Sequence, residues 1–360
     1  MQGQRGKNDS VIFVLLDKEF KSSMVYGEIK RVSDTQLGIP TQCVLMSKLY
    51  NARPQYFANV LLKVNVKLGG TNAALRNGIL ERMHRSTPTL VIGADVSHPG
   101  PGNNSQPSIA AVVGSVDEEL GKYTSCVSYQ APRQEIIEDL ESMMVKILRG
   151  FQAGSQRQPE RIIFYRDGVS ETQFSQMCDA EVNAIKQACC KAFGDPNYKA
   201  KVTFITCQKR HHIRFNSTQA QFRDPKSQNA PAGTVVDQGV THPYGYDFYL
   251  QSQGGLQGTS RPVHYTVLVD ENSLSPDELQ GLTNELCYLF PRCTRSVSLC
   301  TPAYFAHVLA SRARTYRRET ERPMERAPST QKWGQAPAST NFEAQFRPVM
   351  ESLEDVLYYM

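Results

Sequence analysis

The chain has 360 residues, of which 40% are hydrophobic and 21% charged, and a formal net charge of +5. These are the proportions of a soluble globular protein long enough for two domains and a substantial core. No run approaches a membrane span, and the opening MQGQRGKNDS lacks a signal peptide's apolar stretch, so membrane-spanning and secreted classes are set aside.

The charge is uneven: residues 1–85 hold 13 Lys and Arg against 6 Asp and Glu, a net of +7, which leaves −2 for the remainder. A basic first quarter suggests an anionic partner there, although a merely solvated basic surface fits the charge alone equally well. The nine cysteines include no C-x-x-C pair. They read as reduced, mostly buried thiols of an intracellular protein, without a zinc site or disulfide framework.

In chain order, VIFVLL at 11–16 is a strand signal, SSMVYGEIKRV a helix and GIPTQCVLM a second strand. After Pro54, a favoured first helical residue, QYFANVLLKVNVKLGG reads as a helix stopped by Gly69 and Gly70. This alternating unit starts abruptly, as though its first elements were missing, and residues 71–87 read as a connector. Strand signals follow at 89–95, 108–116 and 123–130, joined by short links that favour antiparallel pairing. A helix is expected from Pro132 to about Arg149, then the strand RIIFYRD and a helix from a Ser170 cap to about Phe193. Strands KVTFITC and HYTVLV and helices near 276–290 and 302–318 come next. Residues 319–342 are rich in Pro, Ser, Thr and charge and read as a flexible insertion; VMESLEDVLYYM reads as a terminal helix docked on the domain.

Three antiparallel strands, a helix, then alternating strands and helices is the order of a ribonuclease H-like α/β fold. In that fold the strand after the first helix lies beside strand one. Asp95, which ends the run TLVIGAD, and Asp167, in YRDGVSE, then close neighbouring strands at one sheet edge. Taken alone, Asp95 reads as a turn cap more readily than as a ligand, and either Asp by itself is weak evidence. Together they form the oxygen pair that holds magnesium-like cations, and two such ions can promote phosphodiester cleavage. Lys63 and Lys67 lie four apart on one helix, a repulsive arrangement unless an anion sits between them.

GADVSHP, PRQEII, IIFYRDGVSE, QKRHHIRF and CTRSVS followed by TPAYFAHVLASRAR together resemble the PIWI domain of eukaryotic Argonaute proteins. VYGEIKRV, IPTQCV and LKVNVKLGG resemble the preceding MID domain, and the likeness covers nearly all of residues 10–318. The resemblance implies a partial, Rossmann-like MID domain over 1–85 and a ribonuclease H-like PIWI domain over 86–360. It implies that Asp95, Asp167 and His307 hold a divalent metal, Mg2+ or Mn2+, and that Glu135 completes the catalytic set from a mobile loop. Without it, His307 reads as a satisfied helix histidine and Glu135 as a carboxylate at a helix start.

By the same resemblance, Tyr26, Lys30, Gln42, Lys63, Lys67 and Arg312 form a guide 5′-phosphate pocket. Lys209, Arg210, Arg292, Ser298, Tyr304 and His242 match positions along the guide backbone, with His211 beside them. The implied partners are a small guide RNA, a complementary target RNA and silencing-complex proteins, in the cytoplasm and the nucleus, with no membrane. The implied activity is guide-directed RNA cleavage. Two rivals stay open: a silencing module that binds guide and target without cutting, and a guide-independent ribonuclease H-like nuclease. The likeness does not extend to the family's N-terminal and PAZ domains, and the loop LLDKEFKSSMVY leaves the preferred first base of the guide undecided. A fungal source is the expected one.

Overall fold

The structure, a computed structural model, describes residues 10–18, 24–103, 105–255, 257–318 and 342–360. The insertion expected at 319–342, save its last residue, and the middle of the loop at 15–26 lie outside the described residues.

β1 (Ile12–Leu16) and β2 (Thr41–Leu45) pair in parallel, with α1 (Met24–Val32) between them in sequence. α1 continues into one π-helical turn, Ser33–Leu37, which Gly38 ends in the left-handed region at φ 66°. The short α2 (Met46–Leu49) leads to α3 (Pro54–Lys67), which starts on Pro54 and stops before Gly69 as expected. The connector holds an unexpected helix, α4 (Ile79–Ser86). Its first two amides, of Ile79 and Leu80, donate to the Glu285 carboxylate at 2.9 and 3.0 Å. A cap supplied from 205 residues away leaves no local start signal.

The remaining strands form one sheet: β3 (Thr89–Ser97), β4 (Ser108–Ser115), β5 (Tyr123–Gln130), β6 (Arg161–Asp167), β7 (Lys201–Gln208), β8 (Thr234–Val236), β9 (Tyr246–Gln251) and β10 (Val263–Asp270). Their spatial order is β5-β4-β3-β6-β7-β10-β9-β8, with β3, β6 and β7 parallel to one another. The first three strands are antiparallel neighbours, and β6 lies against β3, as the sequence predicts. Four longer helices complete this part: α5 (Leu140–Ser155), α6 (Phe174–Phe193), α7 (Pro276–Leu286) and α8 (Thr301–Ala313).

Strand alternation sorts side chains to the two faces. Leu90, Ile92, Ala94, Ile162 and Phe164 pack with α5 and α6, while Val91, Ile163 and Tyr165 pack in the cluster that includes α7 and the start of α8.

Four expectations need correction. The helix read from Pro132 begins at Leu140, because Arg133 is left-handed (φ 63°) and the Gln130 amide binds the carbonyls of Gln134 and Ile136 at 2.7 and 2.9 Å. A single 3-10 turn, Glu171–Gln173, precedes α6, and the Ser170 side chain caps neither. The terminal segment is a 3-10 turn, Glu351–Leu353, followed by turns, yet Leu353, Leu357, Tyr358 and Tyr359 are buried, so it docks without a helix. The edge strand β8 and its neighbour β9 have no counterpart among the predicted strands, being short and set among Gly and Pro.

Candidate active site and anion pocket

Asp95 and Asp167 are brought together by register. Ala94 pairs with Arg166 across the parallel β3–β6 ladder, so the next residues on the two strands, Asp95 and Asp167, are neighbours. Alternation sends both to the α8 face and sends Arg166 to the opposite one. α8 crosses β3 at Gly93, where any Cβ would collide with the backbone of Pro302 and Ala303. That close approach sets His307 over Asp95, with Nδ1 2.9 Å from Oδ2.

One ligand atom from each of Asp95, Asp167 and His307 lies within 4.8 Å of the others. Burial, followed by the Asp95 charge, pushes the Asp167 carboxyl up to about 7. The hydrogen bond to Asp95 raises His307 above the ordinary imidazole range. Two crowded carboxylates short of positive charge, with one imidazole, are a donor set suited to a hard divalent cation.

Glu135 lies outside this converging group, on the irregular segment before α5. Its carboxylate is held by Arg166 Nη2 at 3.0 Å and by His98 Nε2 at 2.6 Å, and its carbonyl accepts from Arg166 Nη2 at 2.6 Å. Arg166, fully buried, also donates to Glu181 Oε2 at 3.3 Å and to the carbonyl of Asp167 at 2.7 Å. One guanidinium therefore ties Glu135 to the end of β6. Neither Arg166 nor His98 was among the predicted site residues. Both lie inside quoted motifs, adjacent to Asp167 and three residues after Asp95, and that nearness was the available signal.

At the last turn of α8, Arg312 lines a cavity of about 190 Å3 with Tyr26, Lys30, Gln42, Lys63, Lys67, Arg292, Cys43 and Met360. Thus all six predicted pocket residues converge, and Arg292, expected along the guide backbone, joins them. Lys30 and Lys67 both donate to the Thr41 carbonyl at 2.9 Å, and Lys67 also donates to Gln42 Oε1 at 2.9 Å. Burial and then the neighbouring cations lower Lys67 to about 6; burial and then Arg312 lower Lys30 to about 8. Lys63 and Arg292 are lowered for the same reasons. Burial also opposes the Arg312 charge, but Asp34, 3.0 Å away, helps to outweigh it. Asp34 is fully buried and was not read from the sequence. It is the one carboxylate paired with these cations among the described residues.

The remaining predicted residues are dispersed. Lys209 hydrogen-bonds Ser298, and Tyr304 stacks on Phe290 with centroids 4.4 Å apart. His211 Nε2 is 2.9 Å from the Pro262 carbonyl, and His242 accepts the amides of Tyr244 and Gly245 at 3.1 and 2.8 Å. Arg210 is exposed. All nine cysteines are free thiols, five of them buried. No helix among the described residues is long and apolar enough to cross a membrane.

The family model described as the Piwi domain matches residues 11–318. The chain belongs to the Piwi-domain family. This Piwi chain is 47% identical over 326 residues to Protein argonaute 1B of Oryza sativa subsp. japonica, covering 86% of itself and 29% of that protein. It is 45% identical over 352 residues to Protein argonaute 5 of Arabidopsis thaliana, covering 93% of itself and 35% of that protein. The Piwi chain thus spans about a third of the length of the curated relatives it matches. The crystal structure of Kluyveromyces polysporus Argonaute with a guide RNA superposes with a TM-score of 0.84 at 32% identity, over 97% of this chain and 39% of that one. That of the C-terminal lobe of a budding yeast Argonaute gives 0.84 at 31%, over 97% and 69%. These likenesses bear out the ribonuclease H-like and partial Rossmann-like architecture. The plant relatives do not support the expected fungal source.

Proposed function

We propose that this chain is the guide-anchoring and target-cleaving part of a small-RNA-guided silencing effector. The observation that carries the reading is the cavity in which Lys30, Lys63, Lys67, Arg292 and Arg312 converge, Arg312 being paired with Asp34. Such a cluster is repulsive until a multiply charged anion enters, and the 5′ phosphate of a guide RNA has the charge and size to do so. Tyr26, 36% exposed at the cavity mouth, offers a ring for the terminal base. Lys209, Arg210, His211, His242, Ser298 and Tyr304 follow the guide backbone in this reading, and base pairing selects the target.

Asp95, Asp167 and His307 would hold Mg2+ or Mn2+. The bound ion would supply an activated water and stabilise charge on the scissile phosphate. Asp95 and Asp167 fix the reacting region at the sheet edge. Glu135, oriented by Arg166 and His98, would orient or deprotonate the attacking water.

The deciding experiment is cleavage of a matched RNA by the chain with and without a 5′-phosphorylated guide. Guide-dependent cleavage supports the proposal. Cleavage without guide favours an independent nuclease, and guide binding without cleavage favours a non-cutting silencing module.

A further inference from the structure

We infer that Ser108 is the positioning residue that presents Glu135; its use in cleavage rests on the function proposed above. Ser108 opens β4, is fully buried, and stands in the strand paired with the one that carries Asp95. Its Oγ lies 2.8 Å from the Arg133 amide nitrogen and 2.8 Å from His98 Nδ1. An amide N–H can only donate, so Ser108 accepts there, and its O–H is free to turn to His98 Nδ1. The Glu135 carboxylate oxygen, 2.6 Å from His98 Nε2, calls for an N–H at that nitrogen. The opposite tautomer would set a nitrogen lone pair against a carboxylate oxygen at that distance. Ser108 thus engages the ring nitrogen opposite the one that Glu135 holds and fixes the imidazole's orientation towards it.

The same oxygen fixes the backbone. Arg133 is left-handed at φ 63°, a conformation that a side-chain-bearing residue keeps only where its surroundings dictate it. The Ser108 bond holds this residue two positions before Glu135, and Arg166 grips Glu135 itself from β6. The loop thus has no regular structure of its own and takes its shape from side chains anchored in the sheet. Ser108 is the anchor that reaches both the chain leading into Glu135 and, through His98, its carboxylate.

The test is Ser108→Ala, read in two ways. Hydrogen exchange of amides 133–136 should speed up about tenfold, the equivalent of one lost hydrogen bond, while amides of β3 and of the rest of β4 stay protected. Single-turnover cleavage of a matched target by the guide-loaded chain should fall about tenfold, with target affinity within twofold of wild type. Ser108→Thr, which keeps the hydroxyl, should restore loop protection and rate. Combined with His98→Ala, the Ser108→Ala loss should be less than multiplicative, because both act on one carboxylate. Unchanged exchange at 133–136, or losses that multiply fully, would overturn the inference. A wild-type chain that does not cleave would sink the proposed function, while the exchange measurement would still decide the role of Ser108.

Discussion

At Asp95 the sheet edge concentrates negative charge, and His307 Nδ1 lies against it at 2.9 Å. Replacing Asp95 by Asn keeps the side chain's size but removes a charge from the candidate cation site. Guide-directed cleavage should fall by about 10²–10³ or more, while guide affinity holds, since the anion cavity is lined by other residues. Melting temperature without divalent metal should hold or rise, because one of two crowded carboxylates is gone. Cleavage near the wild-type rate would remove Asp95 from the chemistry. Lys67 gives a pH test. Its ammonium is lowered from 10.5 in the free side chain to about 6 in the folded chain. Between those values the unfolded state holds more protons, so the Lys67 contribution to stability rises with pH across that window and is lost as pH falls through about 6. A phosphate favours the charged amine, so at pH 7.5 a 5′-phosphorylated RNA should bind with net proton uptake. Calorimetry in buffers of different ionisation enthalpy reads that uptake directly; its absence would contradict the assignment of Lys67. The residues missed in the sequence share a character. Arg166, His98, Ser108 and Asp34 hold other side chains in place, and such roles depend on distances that no motif spacing encodes.

Among the elements, the β3–α8 crossing decides whether the site exists at all. Gly93 lets the backbone of Pro302 and Ala303 lie directly on the strand, and His307 follows one turn further along α8. Gly93→Ala should push α8 outward, costing roughly 1–3 kcal/mol as an overpacked core position. It should also weaken divalent-metal binding. Calorimetric unfolding and metal titration would check both; an unchanged melting temperature would mean that α8 lies further from β3. The element order of the sheet was legible from its apolar, β-branched runs, because buried parallel strands carry their own signal. The segment 131–139 was not. PRQEIIEDL has helical spacing and a proline in the favoured first position, but left-handed Arg133 and the Gln130 amide take the chain elsewhere. Similarly, α4 takes its cap from α7, and the terminal segment keeps its apolar residues buried through turns rather than a helix.

For the whole molecule, the seam between the β1–α3 unit and the large sheet is polar where it matters. Asp34 accepts from Arg312 Nη1 at 3.0 Å and from the Tyr316 hydroxyl at 2.9 Å, and its carbonyl receives the Met350 amide at 3.0 Å. Asp34→Ala would leave Arg312 buried without its anion, at a cost of about 3–5 kcal/mol. The first thermal transition should fall markedly, and a 5′-phosphorylated RNA should recover part of the loss by replacing the missing negative charge. A variant as stable as wild type would show that Arg312 finds another partner. The cavity has a mechanical consequence. Lys30 and Lys63 come from one side of the seam, Arg292 and Arg312 from the other, so their repulsion acts to part the two bodies, and Lys67 sheds its proton rather than add to it. An anion between them reverses the sign of that force, and its binding energy becomes adhesion. Under the proposed function, grip on the guide and cohesion of the protein would then rise and fall together: opening the seam would loosen the guide, and losing the guide would loosen the seam.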